Sequence, residues 1–345
     1  MSSAIATLYS KISTPKVHAT LIALLAFLLP FERIPSFDIV GVTLRASQFV
    51  ALSLVVVSII SIKNFYKSKP RLPRLLLPAF LFSYFLSVLM ASDLKRALTV
   101  FVFTVFVVLV GSAIAATLKA DQLPKVEKYL FIATSIVLAF GFYQYFGDVF
   151  GLNPAYTGLR SIYTKEIFGF PRIQSTALEP LYYGSFLLIP YCLLLAKRLF
   201  GPKTITTFHT VLLVLIIAQV LLTVSRGAIY SGILATIILV AYLLVSKKTT
   251  FKQVGKFFAV AVLGCAVGLA MTWMPSYFIR DSQSAETKTE KLLDQTSNFE
   301  SQADRVRNRE LAVSAFKENP LLGIGPGNFS QYAVARLPLM LRQRQ

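Results

Sequence analysis

The sequence contains few of the residues that form disulfide frameworks, metal sites or soluble catalytic triads. Its two cysteines, Cys192 and Cys265, both lie inside apolar runs, which argues against a disulfide framework and against metal-ligand spacing. Only two histidines are present, and the polar residues show no zinc site, serine triad or acidic metal cluster. We therefore expect neither a metal nor a cofactor.

Charge is also scarce. Only 15% of the 345 residues are charged and 55% are apolar, whereas a soluble domain carries about a quarter charged residues. The net charge of +19 would suit a nucleic-acid binder only if the basic residues formed one face of a soluble domain, but here they flank apolar runs. Membrane topology and anionic headgroups explain this charge, so we expect membrane lipids and no nucleic acid as partners.

Nine apolar stretches predict an all-α, polytopic transmembrane bundle of about nine helices. The first lacks a small-residue cleavage site, so we interpret it as a retained span and not as a signal peptide. Its fifteen residues rise about 22 Å as a helix, which requires local thinning of the bilayer or help from neighbouring helices. The expected spans are 17–31, 47–62, 75–91, 97–117, 129–147, 181–196, 207–223, 228–246 and 257–274.

Basic residues fall mainly on every second segment between the spans. Seventeen lie on one set of segments and eight on the other, a bias that marks the first set as cytoplasmic. The smaller set consists of Arg33, Arg45, Lys95, Arg96, Arg160, Lys165, Arg172 and Arg226. We predict a cytoplasmic N-terminus, a transmembrane bundle over residues 1–274, and an outer segment over residues 275–345 in a multi-pass membrane protein.

Arg226 is the sharpest single candidate for function. It lies at the outer end of the seventh span, in Thr223-Val-Ser-Arg-Gly227, where the eighth span begins almost at once. A permanent charge so close to the hydrocarbon is costly and usually functional. The alternative is an interfacial arginine that reaches out to the headgroups, which is a common way to end a helix.

Arg305 and Arg309 lie four residues apart on a predicted helix from Ala303 to Glu318, so they share one face. The helix is predicted to be amphipathic, with apolar residues at helical spacing. Two guanidinium groups would suit a diphosphate, because each can bind phosphate oxygens bidentately. The alternative is a solvated face of an interfacial helix. The apolar positions are Leu311, Ala312, Ala315 and Phe316.

A glycine-rich segment follows that helix. Pro320 cannot continue the helix, and Gly323, Gly325 and Gly327 provide flexible backbone. The spacing is not that of a dinucleotide-binding loop, and the Lys-Ser/Thr pair of a Walker loop is missing. The segment therefore predicts a turn that either approaches a ligand closely or packs on a helix.

The longest internal outer segment, 148–180, carries Arg172 and Glu179 just before a span. The two side chains could form an ion pair that shapes the loop. Glu179, at a membrane boundary, could instead be a base with a raised pKa. His18 and His209 both open spans on the cytoplasmic side, which excludes them from chemistry at the outer arginines.

Arg305, its amphipathic helix and Pro320-Leu-Leu-Gly-Ile-Gly-Pro-Gly-Asn-Phe329 together resemble the signature of the O-antigen ligase and O-antigen polymerase superfamily. Val224-Ser-Arg-Gly-Ala228 resembles the other arginine motif of that superfamily. The resemblance implies a metal-independent membrane glycosyltransferase of the bacterial inner membrane. Such an enzyme moves a glycan from undecaprenyl diphosphate to an acceptor hydroxyl, either on a glycolipid in lipopolysaccharide biosynthesis or on another carrier-linked glycan.

By the same resemblance, Arg226 and Arg305 would be catalytic and would engage the diphosphate. The other expected contacts to the diphosphate are Arg172, Arg309, Gly323, Gly325 and Gly327, with Glu179 as a candidate base. Two alternatives remain. One is a transporter or flippase of a lipid-linked or anionic substrate, which would also carry intramembrane arginine. The other is a structural subunit without catalytic activity.

The sequence departs from this superfamily at one point. A histidine usually follows the glycine motif, and further spans come after it, but this chain ends at Gln345 with neither. We interpret the sequence as C-terminally truncated and predict that it binds the lipid-linked diphosphate but transfers little glycan. Glu179 is taken as the only remaining outer carboxylate beside a span with an arginine nearby.

Overall fold

A computed structural model describes residues 14–33, 36–39, 42–68, 71–200, 205–278 and 299–343, which are mostly helical. Nine apolar helices coincide with the nine predicted spans, and two further long helices follow them. The nine are α1 (Pro15–Leu28), α2 (Ala46–Ser68), α3 (Arg71–Val88), α4 (Leu94–Thr117), α5 (Leu123–Val149), α8 (Pro180–Phe200), α9 (Thr207–Leu222), α10 (Arg226–Val245) and α11 (Phe251–Phe278). The last two are α12 (Phe299–Glu318) and α13 (Phe329–Gln343).

Six of the described helices are long and apolar enough to cross a membrane, judged by length and composition. These six candidate spans are Ala46–Lys67, Leu94–Thr117, Ala120–Val149, Pro180–Phe200, Arg226–Val245 and Phe251–Pro275. Three apolar helices are shorter, namely Pro15–Leu28, Leu75–Val88 and Thr207–Leu222. The predicted all-α polytopic fold is confirmed, and the protein is a multi-pass membrane protein.

The short elements lie between these helices. Two one-turn helices, α6 (Pro154–Thr157) and α7 (Lys165–Phe168), and two 3-10 turns, at Ala120–Gln122 and Ser161–Tyr163, were not predicted. The strands β1 (Ser36–Ile39) and β2 (Val42–Arg45) form an antiparallel hairpin with Ser36 opposite Arg45. Both strands alternate polar and apolar residues, a strand signal that the sequence analysis missed.

The chain divides into two compact units. The first consists of Met1–Leu21, Ala51–Ala120 and Leu293–Gln345, and the second of Ile22–Val50 and Asp121–Leu292. In the first unit α3 packs against α4 and α12 against α13. In the second, α9 packs most extensively against α11, and α8 packs against α10.

Two glycines allow the close packing of α9 on α11. A Cβ at Gly264 would lie 2.8 Å from the Cβ of Ile217, and one at Gly268 would lie 3.0 Å from the carbonyl oxygen of Ala218. The two glycines are four residues apart and therefore share one face of α11. Small residues at this spacing let two membrane helices approach until their backbones nearly touch.

Buried amide side chains hold the long loop of the second unit in place. Gln144 of α5 is fully buried, and its Oε1 accepts a hydrogen bond from the backbone N–H of Ser175 at 2.7 Å. Its Nε2 donates to the carbonyl oxygens of Thr157 at 3.0 Å and Ser175 at 3.2 Å. Because an unpaired buried amide is costly, these bonds fix the path of the chain between α5 and α8.

Candidate functional site

Three segments that were predicted to lie outside meet at one end of the second unit. Thr176 Oγ1 donates to the carbonyl oxygen of Pro30 at 2.7 Å. The backbone N–H of Arg33 donates to the carbonyl oxygen of Thr176 at 3.3 Å. The Arg33 Nη1 donates to the carbonyl oxygen of Gly158 at 2.5 Å. These contacts join the chain after α1 to the loop between α5 and α8, which agrees with the predicted alternation of the segments.

Arg172 joins the same loop to the turn between α9 and α10. Its Nε donates to the carbonyl oxygen of Thr223 at 2.7 Å, and its guanidinium lies 5.5 Å from the centroid of the Tyr163 ring. The Nε–H is therefore directed to the backbone of the turn and not to Glu179. Glu179 acts on Arg172 through its charge, and a direct ion pair between them remains a prediction.

The turn itself is sharp. Val224 adopts a φ of 49°, which is strained for a β-branched residue. Ser225 caps α10, because its side chain accepts from the backbone N–H of Ala228 at 3.4 Å. In this close-packed place, a Cβ at Gly184 of α8 would lie 2.7 Å from the Cβ of Ala228. The turn is thus fixed from both sides, by Arg172 and by α8.

Arg226 is the first residue of α10 and is half-buried. Within the described part of the chain, its guanidinium makes no hydrogen bond and no ion pair. The first backbone N–H groups of a helix and its macrodipole favour an anion at the same place. A half-buried guanidinium beside a helix N-terminus is an arrangement that can bind phosphate oxygens.

The arginines at this end influence one another's pKa. Burial lowers the pKa of the Arg172 guanidinium; Tyr163 and Glu179 raise it, and the charge of Arg226 lowers it. Burial, followed by the charge of Arg160, also lowers the pKa of Arg33. The arginines therefore lie close enough to repel one another, and a bound anion would relieve that repulsion.

Glu32 and Glu179 are two of the carboxylates at this end, and the sequence analysis considered only Glu179. Glu179 is half-buried just before α8. Glu32 accepts from the backbone N–H of Leu178 through Oε2 at 3.0 Å and lines a cavity of about 310 Å³ with Tyr182 and Ser185. Glu179 is therefore not the only outer carboxylate that lies beside a span with an arginine nearby. The adjacent pair Glu32-Arg33 after the first span was the signal that could have found Glu32.

In the first unit, the glycine segment is a turn packed on the start of α4. Gly323, Gly325 and Gly327 have φ values of 69°, 83° and 75°. A Cβ at Gly325 would lie 2.5 Å from the Cβ of Ala91, and one at Gly327 would lie 3.0 Å from Cγ2 of Val100. Packing on a helix, one of the two predicted alternatives, is therefore what these two glycines do. A contact from their backbone to a diphosphate remains a prediction.

Asn328, which the sequence analysis did not name as a candidate, holds this turn in place by hydrogen bonds. Its side chain is 1% exposed, and its Oδ1 accepts from the backbone N–H of Asp93 at 2.8 Å and from Ser92 Oγ at 3.1 Å. Asp93 also caps α4 by accepting from the backbone N–H of Arg96 at 3.0 Å. Gln331 Nε2 donates to Asp93 Oδ2 at 3.1 Å, which completes the contact.

Both candidate arginines of α12 lie on the exposed surface of the helix. Arg305 and Arg309 are exposed, and within the residues that the structure describes neither makes an ion pair. Only half of the predicted apolar stripe is buried. Leu311 and Ala315 are buried, whereas Ala312 and Phe316 are exposed. The predicted end of the helix at Glu318 is confirmed.

The histidines have structural contacts. His18 Nδ1 lies 2.8 Å from the carbonyl oxygen of Thr14, and His209 Nδ1 accepts from the backbone N–H of Thr206 at 3.2 Å at the start of α9. In the described residues, no group of three or more His, Cys, Asp and Glu side chains could hold a metal ion. The polar stretch 281–300 lies almost wholly outside the described residues.

Part of the chain is similar to a known protein family. Residues 211–343 match the family model described as O-antigen ligase, which confirms the resemblance predicted from the two arginine motifs. The match includes Arg226, Arg305 and the three glycines, and it does not reach Arg172 or Glu179. No match was found among curated proteins or among solved structures.

Proposed function

We propose that this chain, whose residues 211–343 match the O-antigen ligase family model, transfers a glycan from undecaprenyl diphosphate to an acceptor hydroxyl at the outer face of the bacterial inner membrane. The acceptor is a glycolipid in the ligase form of the reaction and another carrier-linked glycan in the polymerase form. The observation that carries the proposal is Arg226, a half-buried guanidinium without a carboxylate partner in the described chain, at the N-terminus of α10.

The chemistry needs a group that stabilises the departing diphosphate. As the bond between the sugar and the diphosphate breaks, negative charge develops on the leaving oxygen. Fixed donors aimed at that charge lower the barrier without rearranging during the reaction. Arg226 and the first N–H groups of α10 are such donors, and they supply this stabilisation without a metal.

Arg172 acts in this scheme as a positioning residue. Its Nε–H is bonded to the carbonyl oxygen of Thr223, three residues before Arg226. The Tyr163 ring lies against its guanidinium. It therefore fixes the turn from which Arg226 projects, and its charge adds to the field that attracts the diphosphate. A mispositioned guanidinium would lose the bidentate geometry even if its charge were retained.

The acceptor hydroxyl must lose a proton, and we consider two of the carboxylates at this end for that role. Glu179 is the base suggested by the sequence, and Glu32 is the second candidate because it lines a cavity beside Arg33. We propose that one of the two accepts the proton. Arg305 and Arg309 of α12 are assigned to the diphosphate by the family resemblance and by their exposed guanidinium groups.

The test uses the purified 345-residue chain in nanodiscs with a fluorescently labelled undecaprenyl-diphosphate glycan and an acceptor glycolipid, with a chelator present throughout. Binding is measured by fluorescence anisotropy and transfer by separation of the labelled product. We expect binding by the wild-type chain and its loss in Arg226→Ala. Product formation that disappears in Glu179→Gln or in Glu32→Gln would identify the base.

Two results would contradict the proposal. If Arg226→Ala binds the carrier as well as the wild type, then Arg226 is only an interfacial anchor. Movement of the labelled carrier between the leaflets of a vesicle, without product, would identify a flippase.

A further inference from the structure

A second polar cavity lies in the second unit, among segments that were predicted to face the cytoplasm. It has a volume of about 660 Å³ and is bordered by the end of α8 and the starts of α9 and α11. Three cationic side chains line it, Arg198, Lys252 and Lys256, and its described lining contains no carboxylate. Neither the family match nor the proposed transfer reaction assigns it a role.

The positive charge in this cavity is not balanced locally. Arg198 Nη1 donates to Thr210 Oγ1 at 3.0 Å, which satisfies one of its donors but does not neutralise it. Lys252 and Lys256 are exposed and one helical turn apart, and neither makes an ion pair within the described residues. Like charges at this spacing on a helix repel each other.

The neighbouring Lys197 provides the contrast. It precedes Arg198 directly, but its ammonium group is paired with the carboxylate of Glu127. Charge neutralisation by a carboxylate is thus present one residue away and absent from the cavity. The three cavity cations therefore retain the capacity to bind an anion.

The backbone around the cavity also favours an anion. Thr206 caps α9 by accepting from the backbone N–H of His209, and Thr250 Oγ1 accepts from the backbone N–H of Gln253 near the start of α11. Both threonines line the cavity, so two helix N-termini border it together with the three cations. Helix N-termini favour phosphate groups, and guanidinium and ammonium groups bind them directly.

We propose that this cavity binds a phosphate group, held by Arg198, Lys252 and Lys256. Two sources carry that chemistry at a cytoplasmic membrane surface, the phosphodiester of an anionic lipid headgroup and free inorganic phosphate. The site is separate from the outer arginines, and the proposal does not depend on the transfer reaction. Its occupation would tie the ends of three helices together through one anion.

The experiment compares two double variants with the same loss of charge. Lys252→Gln/Lys256→Gln removes two cavity cations. Lys63→Gln/Lys247→Gln removes two exposed lysines that are also predicted to be cytoplasmic, Lys63 from another segment and Lys247 from the same one, and neither of these lines the cavity. All four side chains are exposed, so both variants should fold. Thermal unfolding checks that they do. The two single variants Lys252→Gln and Lys247→Gln repeat the comparison with the loss of one charge each.

Two arms distinguish the sources. In the first, the chain in phosphatidylcholine nanodiscs is dialysed against radiolabelled inorganic phosphate. In the second, phosphatidylglycerol molecules retained by the detergent-purified chain are counted by native mass spectrometry. We expect the cavity variant to bind its ligand about fivefold more weakly for each lysine removed, and the control to match the wild type.

A loss of retained phosphatidylglycerol alone identifies a lipid headgroup site, and a loss of inorganic phosphate binding identifies a free phosphate site. Either result supports the proposal. Equal binding by the cavity variant and its control would overturn it, as would the absence of both ligands from the wild-type chain.

Discussion

The polar segments of the two predicted sides of the membrane use different basic residues. Of the seventeen basic residues on the segments predicted to be cytoplasmic, fourteen are lysine and three are arginine. Of the eight predicted outside, six are arginine and two are lysine. Topology depends on positive charge and does not distinguish the two residues. An excess of arginine on these segments is expected if the residues must also form directed hydrogen bonds, which suit a planar guanidinium better than a compact ammonium group.

The contacts at the two ends of the second unit agree with this expectation. Outside, Arg33 and Arg172 donate to backbone carbonyl oxygens at 2.5 and 2.7 Å, so each guanidinium has a defined direction. At the other end, Lys252 and Lys256 are exposed. A planar guanidinium can bond the backbone and still face a ligand. Arginine thus organises the outer end, while lysine mainly supplies charge to the inner one.

The largest effect is expected from labelling that tests which end is outside. In a background with Cys192→Ala and Cys265→Ala, a membrane-impermeant thiol reagent added to intact cells should modify Tyr156→Cys and spare Phe251→Cys. The side chains are 76% and 82% exposed, so both positions are reachable once the reagent is on the right side. Positions 281–300 should label like Tyr156, and positions 247–256 like Phe251. The reverse pattern would show that the arginine-rich segments face the cytoplasm, and the proposed transfer would then take place on that side.

Next in size is the replacement of Arg226 by lysine. We expect Arg226→Lys to weaken carrier binding about tenfold to a hundredfold, nearly as much as Arg226→Ala, because lysine keeps the charge but loses the paired hydrogen bonds. The measurement is anisotropy with the labelled carrier. A lysine variant that binds like the wild type would mean that charge alone is needed at this position.

The glycines give a comparison in stability. Gly325→Ala should destabilise the chain by about 2 kcal/mol or more, because a Cβ there would lie 2.5 Å from Ala91 and φ is 83°. Gly255→Ala, near the start of α11, should stabilise it by up to about 1 kcal/mol, because nothing lies within 4 Å of that position and alanine favours a helix. Thermal unfolding in detergent measures both. Equal melting temperatures would show that the turn does not pack on α4 as described.

A smaller effect is expected for Arg172. The variant Arg172→Lys should bind the carrier about tenfold more weakly, because it loses the Nε–H bond to Thr223 while the charge remains. Combined with Arg226→Ala it should have little further effect, since a positioning residue acts through the residue that it positions. Additive losses in the double variant would indicate that Arg172 contacts the diphosphate directly.

The smallest effect is expected from arginine on the lysine-rich side. Lys63→Arg/Lys247→Arg should leave carrier binding, stability and topology unchanged, because both lysines are exposed and supply charge only. The same three measurements apply. A change in carrier binding would show that the lysine-rich end also depends on the geometry of its basic residues.

Much of the fold was readable because its signals are local. Runs of apolar residues placed all nine apolar helices, and Pro320 predicted the end of α12 that is found at Glu318. The three glycines predicted a turn, and all three have positive φ. Each of these inferences uses residues within a few turns of one another, where periodicity and turn chemistry determine the conformation.

The contacts that organise the candidate site were not readable in the same way. Asn328 bonds to Asp93 across 235 residues, and Arg172 bonds to Thr223 across 51. Both are single side chains that meet backbone groups, and no periodic pattern marks such pairs. Glu32 was different, because its position beside Arg33 after the first span is visible in the sequence. The roles of the site residues remain predictions that the variants above can test.

The packing of α9 on α11 also has a consequence for biosynthesis. The sixteen residues of α9 rise about 24 Å, less than the bilayer core, and the helix lies against the glycine face of α11. The ribosome makes α11 last among these elements, so Ile217 and Ala218 lack their partners on the glycine face of α11 until residue 268 has entered the membrane. Maturation of this unit is therefore late during translation, and a nascent chain stalled before α11 would expose a short, poorly matched helix to membrane quality control.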